Sequence, residues 1–273
     1  NTRCDLNFTL VASYFTLSGM KIISFNTNSI RIREHQLQAL IARHSPDIIG
    51  IQETKVTDED FPLEMINALG YAAVYHGQKT HYGVALLYKQ TPLSTQKGFA
   101  GNSDDAQRRF IQAEFDYNGK KLLVMNGYFP QGESRDNETK FSAKKKFYAD
   151  LLQHLQNNYS PDDNIILMGD MNVAPVDQDI GIGEDNAHRW LKTGKCSFLP
   201  EEREWLQKIS DWGLVDTFRQ HQPNENNRFS WFDYRSRGFE NNPRRGLRID
   251  LILASRSLAN TLIDTGIDYD TRS

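Results

Sequence analysis

Cysteine is nearly absent: 273 residues hold two, Cys4 and Cys196. That excludes a disulfide framework and a cysteine-built zinc site, and it suits the reducing cytoplasm. No apolar run approaches the roughly 20 residues of a membrane helix, so no membrane partner is expected. The weakly apolar stretch 8–17 follows only Arg3 and Asp5, and no small-residue cleavage site comes after it, so it does not read as a signal peptide. Gly181-Ile182-Gly183-Glu184 is too short for a dinucleotide fingerprint, no P-loop pattern exists, and no nucleotide cofactor is expected. The seven histidines show neither His-x-His nor His-Glu-x-x-His spacing and read as structural or surface groups. Net positive charge is lacking too: 32 Lys and Arg face 35 Asp and Glu, a net charge of −3. That is not the global basicity of a sequence-neutral DNA binder, although a local basic face can coexist with a neutral total. Arg108, Arg109, Lys192, Lys195, Arg235, Arg237, Arg244 and Arg245 are candidate phosphate contacts. Lys144, Lys145 and Lys146, on an expected helix, read better as solvated surface charges.

What the chain does have is a set of apolar strands that end in polar groups. Ile165 to Met168 is an apolar run that stops in Gly169-Asp170-Met171-Asn172. If strand geometry persists, Asp170 and Asn172 point the same way. Such a pair suits phosphoester hydrolysis, the Asp acting on a water and the Asn on phosphoryl oxygens. Asp and Asn are also ordinary turn formers at strand ends, so this motif alone leaves both readings open. Four further runs repeat the layout. Residues 21–28 end in Asn26-Thr27-Asn28, 47–55 in Gln52-Glu53-Thr54-Lys55, and 122–130 in Tyr128-Phe129-Pro130, while Asp250 sits inside 246–253. Five strands with polar or acidic ends argue for one convergent site. Between them run stretches with helical spacing, 34–43 (stopped by Ser45-Pro46) and 145–155. The alternation indicates layered α/β packing in one domain with a full core.

The segments SFNTN (24–28), DIIGIQETK (47–55), NGYFPQGESRD (126–136), LMGDMNVAP (167–175), CSFLPEEREW (196–205), FSWFDYRS (229–236) and GLRIDLILAS (246–255) occur in an order and spacing that resembles the exonuclease III family. These are bacterial abasic-site endonucleases and 3′-exonucleases of the endonuclease/exonuclease/phosphatase superfamily. The resemblance implies a four-layer α/β sandwich, two mixed β-sheets face to face with helices outside. It implies a monomer acting on duplex DNA with abasic sites or 3′ ends, dependent on Mg2+, with Mn2+ as the alternative. Glu53 is then the metal ligand with Asn26 beside it, although Gln52-Glu53-Thr54 also suits a helix cap. Tyr128, Asp170, Asn172 and Asp250 become the catalytic set, Asp250 as the partner of a catalytic histidine. Trp231, Phe232 and Leu247 would wall a pocket for a flipped-out abasic sugar; Phe232 reads equally well as plain core. Arg109 and Gln131 would contact the DNA backbone or the gap left by the missing base. A lipid or inositol phosphatase would use the same metal site, but FSWFDYRS and CSFLPEEREW point away from it.

Two departures set further expectations. Residues 1–19 match nothing in the family, and are expected to be a disordered or non-native leader ahead of a domain spanning 20–273. Family members continue into a Ser-Asp-His segment and a last strand, which the sequence ending at Ser273 lacks. The 273-residue chain is therefore expected to be weak or inactive, the alternative being a catalytically impaired DNA-binding fragment.

Overall fold

The computed structural model describes residues 11–233 and 236–271. The chain runs β1 (Ala12–Leu17), β2 (Met20–Asn26), α1 (Glu34–His44), β3 (Ile48–Gln52), α2 (Leu63–Ala68), β4 (Ala72–His76), β5 (Val84–Tyr88), β6 (Ser94–Lys97), β7 (Phe110–Tyr117) and β8 (Lys120–Tyr128). It continues through α3 (Glu138–Asn158), β9 (Ile165–Asp170), α4 (Glu184–Lys192), α5 (Pro200–Trp212), β10 (Leu214–Asp216), α6 (Thr217–His221), β11 (Trp231–Phe232), β12 (Gly246–Leu247), β13 (Asp250–Ser255), α7 (Arg256–Ala259) and β14 (Asp264–Asp268). Two six-stranded mixed sheets result, β14-β1-β2-β3-β5-β4 and β10-β13-β9-β8-β7-β6, with β11 and β12 as a separate short pair.

Period-2 alternation sorts each central strand between two cores. In β9, Ile166 and Met168 enter the core between the sheets, while Ile165 and Leu167 face the α3/α5 side. In β2, Ile22 faces the opposite sheet, and Ile23 and Phe25 pack toward the side covered by α1. Strands apolar on both faces need a layer on each side, which gives α-β-β-α. This is the expected four-layer sandwich.

Three details differ from the sequence reading. Residues 12–17, expected to lie in a leader outside the domain, form β1, paired antiparallel to both β2 and β14. Alternation explains it: Phe15 and Leu17 enter the core between the sheets, while Ala12 and Tyr14 face the side covered by α1. Residues 1–10, with Cys4, lie outside the described residues. Next, α3 starts seven residues before the expected 145, because the Asn137 side chain caps it by accepting from the Lys140 N–H at 3.2 Å. Finally, 246–253 is not one strand. Arg248 turns inward between β12 and β13, pairing with Asp179 (2.7 Å) and Asp216 (2.5 Å).

The two sheets are pinned to each other by a buried amide. Asn126 on β8 donates to the carbonyls of Ile51 (2.9 Å) and Ala85 (2.8 Å), and accepts from Gln52 Nε2 (2.7 Å). Within the second sheet, Gly169 has φ +146, and a Cβ there would lie 1.9 Å from the Gly127 carbonyl oxygen. Only glycine permits β9 to approach β8 this closely.

Candidate active site

The strand ends predicted to converge do so. Tyr128, Asp170 and Asp250 are direct neighbours across β8, β9 and β13, which makes a row along one end of the second sheet. Asp250 begins its strand where the others end, but β13 is antiparallel to β9, so it reaches the same edge. From the first sheet, Asn26 and Gln52 are register partners, and Glu53 follows at once. The Asn126–Gln52 bridge lies just beneath, and sets the two rows against each other.

Asn26 is the meeting point. Its Nδ2 donates to Glu53 Oε1 at 2.8 Å and to Asp170 Oδ2 at 3.1 Å, and its Oδ1 accepts from the Asn28 N–H at 3.0 Å. Lys55 lies 3.2 Å from Glu53 and also donates to Asn28. Asn172 does not continue the strand. It has φ +54, its N–H donates to Asp170 Oδ1 at 3.1 Å, and its Nδ2 donates to the Phe129 carbonyl at 2.8 Å. The expected same-side strand pair is thus a turn, and it serves the site as well as ending the strand, because the Asx bond fixes the Asp170 carboxyl. Asn28, Glu53 and Lys55 also hold positive φ. Such backbone costs of order 1–3 kcal/mol per residue and clusters where function requires it.

Electrostatics single out the same groups. Burial, then Asp250 and Glu53, push the Asp170 carboxyl well above the usual range. Burial pushes Asp250 up to about 7, with Glu53 adding to it and Ser230 opposing. Burial and the neighbouring Glu53 and Asp170 also push the Tyr128 hydroxyl far up, so it stays protonated. Three carboxylates share this floor with one lysine close at hand. Excess negative charge with oxygen donors fits a hard divalent cation. Among the described residues no three or more His, Cys, Asp or Glu side chains form a chelating cluster.

The floor opens into a cavity of about 820 Å³. Asn26, Glu53, Tyr128, Gln131, Asp170, Asn172, Trp231, Phe232, Leu247 and Asp250 all line it. Phe232 is 8% exposed and packs on Phe229, Phe239 and Tyr269, so it is both core and wall. Arg109 does not reach the cavity. Its guanidinium is stacked between Tyr82 (4.3 Å) and Tyr128 (4.8 Å) and donates to the Tyr128 carbonyl at 3.0 Å, so it backs Tyr128. Of the candidate phosphate contacts, Lys195 and Arg237 line the cavity. Arg108 is turned to His76, Arg244 to Phe239 and Tyr269, and Arg245 to the Ile182 carbonyl. Lys192 sits at the end of α4, and Arg235 lies outside the described residues. Lys144, expected on the surface, is fully buried against Glu202, whereas Lys145 and Lys146 are exposed.

Sequence reasoning missed Trp190 and Ser230. Trp190 lines the cavity from α4, stacked on Phe198 at 5.7 Å and carrying Lys195 over its ring at 3.9 Å. Ser230 Oγ accepts from the N–H groups of Ile249 and Asp250, 2.9 Å each. Its place directly before Trp231 was the available signal. No histidine lines the cavity among the described residues, and no helix among them is long and apolar enough to cross a membrane.

Comparison with known proteins agrees with this geometry. Residues 23–273 match the model of the Endonuclease/Exonuclease/phosphatase family. The exodeoxyribonuclease III of Haemophilus influenzae is 56% identical over 254 residues, 93% of this chain and 94% of that protein. A 3′ phosphatase from Neisseria bound to product DNA hairpin superposes with a TM-score of 0.82 at 34% identity, covering 93% of each chain. An AP endonuclease from Archaeoglobus fulgidus gives 0.78 at 34% identity, covering 88% of each. Nucleases of this family are generally dependent on divalent metals. The chain belongs to the Endonuclease/Exonuclease/phosphatase family, as a homologue of exodeoxyribonuclease III.

Proposed function

We propose that this chain hydrolyses phosphodiester bonds of duplex DNA as an exodeoxyribonuclease III. It trims 3′ ends, removes 3′ blocking groups and cuts 5′ to abasic sites in base-excision repair. The observation that carries the reading is the Asn26 amide held between Glu53 and Asp170, on the floor of a cavity with an apolar far wall. The DNA-bound phosphatase and the AP endonuclease of the same fold support it.

Glu53, with Asn26 beside it, would hold Mg2+, or Mn2+ in its place. When bound, the ion offsets charge on a phosphate oxygen and favours attack at phosphorus. Asp170 positions the attacking water and takes its proton. Asp250 stands beside Asp170 on the next strand. Tyr128, held protonated, donates to the phosphate and offsets charge that grows in the transition state. Asn172 has a second amide N–H beyond the one given to Phe129, and it serves the same oxygens. Trp231, Phe232 and Leu247 accept a sugar whose missing base makes extrusion cheap. Gln131 lies on the approach to this pocket. The chain works as a monomer and needs no nucleotide cofactor.

The test is a labelled duplex with one abasic-site analogue, incubated with Mg2+ and then with EDTA. Cleavage 5′ to the analogue that EDTA stops is the expected result. Binding without any cleavage would replace this reading with that of a DNA-binding protein.

A further inference from the structure

Directly beneath the cavity, Lys144 of α3 and Glu202 of α5 form an ion pair with no exposure of either side chain. The Lys144 ammonium has three protons, and each has an acceptor. They go to the Asn172 carbonyl (2.8 Å), the Gln131 carbonyl (3.2 Å) and the Glu202 carboxylate. Glu202 in turn accepts from the backbone N–H groups of Ser197 (2.9 Å) and Leu199 (2.8 Å). Asn172, Gln131 and Ser197 all line the cavity. Three loops remote in sequence therefore hang on one buried pair. The 131–133 loop rests directly on it: a Cβ at Gly132 would lie 2.9 Å from Lys144 Cδ.

A buried pair of this kind is a poor device for stability alone. The cost of taking both charges out of water can exceed their attraction, and apolar residues of similar size often serve the fold as well. Directed hydrogen bonds, in contrast, hold carbonyl groups at set positions. The Asn172 carbonyl fixed by Lys144 belongs to the residue whose N–H grips Asp170 Oδ1. We infer that Lys144 and Glu202 are a positioning pair for the hydrolysis, setting Asn172, Asp170 and the Gln131 loop without touching DNA. This inference rests on the DNA-hydrolase reading above.

The test is steady-state cleavage of the abasic duplex by wild type, Lys144→Met, Glu202→Gln and the double variant, with thermal melts alongside. Each single variant leaves a charge buried and unpaired, and should melt early. The double variant removes both charges and should recover most of the melting temperature. Its kcat should stay roughly ten- to a hundredfold below wild type, because a misplacement on the ångström scale is that costly. KM should remain within about twofold, since no DNA contact is removed. A double variant that regains kcat together with its melting temperature overturns the inference, as does a wild-type kcat in Lys144→Met. If the double variant does not fold, Glu202→Gln decides: a lowered kcat at constant KM supports positioning, and a wild-type kcat overturns it. Wild-type protein that does not cut overturns this inference and the DNA-hydrolase reading together. Active wild type with unaffected variants overturns this inference alone.

Discussion

The floor and the wall of the cavity are built differently. The floor groups stand on or just past the ends of strands of five to nine residues with buried centres, cross-linked by Asn26 and by the Asn126–Gln52 bridge. The wall is Trp231 and Phe232 on a two-residue strand, Leu247 opposite, and Trp190 from a helix with no buried residue. Rigid elements hold charged groups to fractions of an ångström, while loops vary at little cost to the fold. On the proposed function, the difference divides bond breaking, at the floor, from substrate choice, at the wall.

The sharpest break comes from Asp170→Asn. Loss of the base should lower kcat/KM on the order of a thousandfold or more. Duplex affinity should stay the same or rise, because one negative charge leaves the DNA site; gel-shift titration beside kinetics checks both. Asn126→Ala should come next. It strands the Gln52 amide and the carbonyls of Ile51 and Ala85, at a cost of about 2–3 kcal/mol in a denaturant melt. Because it loosens the register between the sheets, kcat should fall as well. On the wall, Trp231→Ala should leave trimming of an ordinary 3′ end near wild type, and reduce the preference for an abasic site roughly tenfold.

The smallest effect lies away from both regions. Burial raises Asp268, but hydrogen bonds from His44 (2.5 Å) and from the N–H groups of Asp270 and Thr271 outweigh it, and its carboxyl sits below the usual range. A depressed carboxylate contributes stability that is complete above its unfolded pKa, about 3.9, and is lost as pH falls through the lower folded value. Asp268→Asn should therefore melt below wild type at pH 7, and the gap should close as the pH drops under 4. A gap independent of pH would show that the charge plays no part.

The floor was legible in the sequence because each of its groups is tied to a strand end, and strand ends follow from periodicity. The wall was legible only through family motifs; two-residue strands and loop aromatics leave no period. For Arg109, neither charge nor motif could show that two tyrosines enclose its guanidinium. Lys144 looked solvated because helical spacing places a lysine on a face but cannot reveal Glu202 beneath that face. Residues 12–17 looked foreign because they match no family motif, although the two-residue Ser18-Gly19 turn into β2 is a local hairpin signal.

One experiment tests the division of labour most directly. A single duplex would carry an abasic-site analogue and a recessed 3′ end with separate labels, and single-turnover rates at both would be followed for wild type, Asp170→Asn and Trp231→Ala. The floor variant should lose both activities together, and the wall variant only cleavage at the abasic site. Equal loss of both activities in Trp231→Ala, or either activity surviving intact in Asp170→Asn, would contradict it.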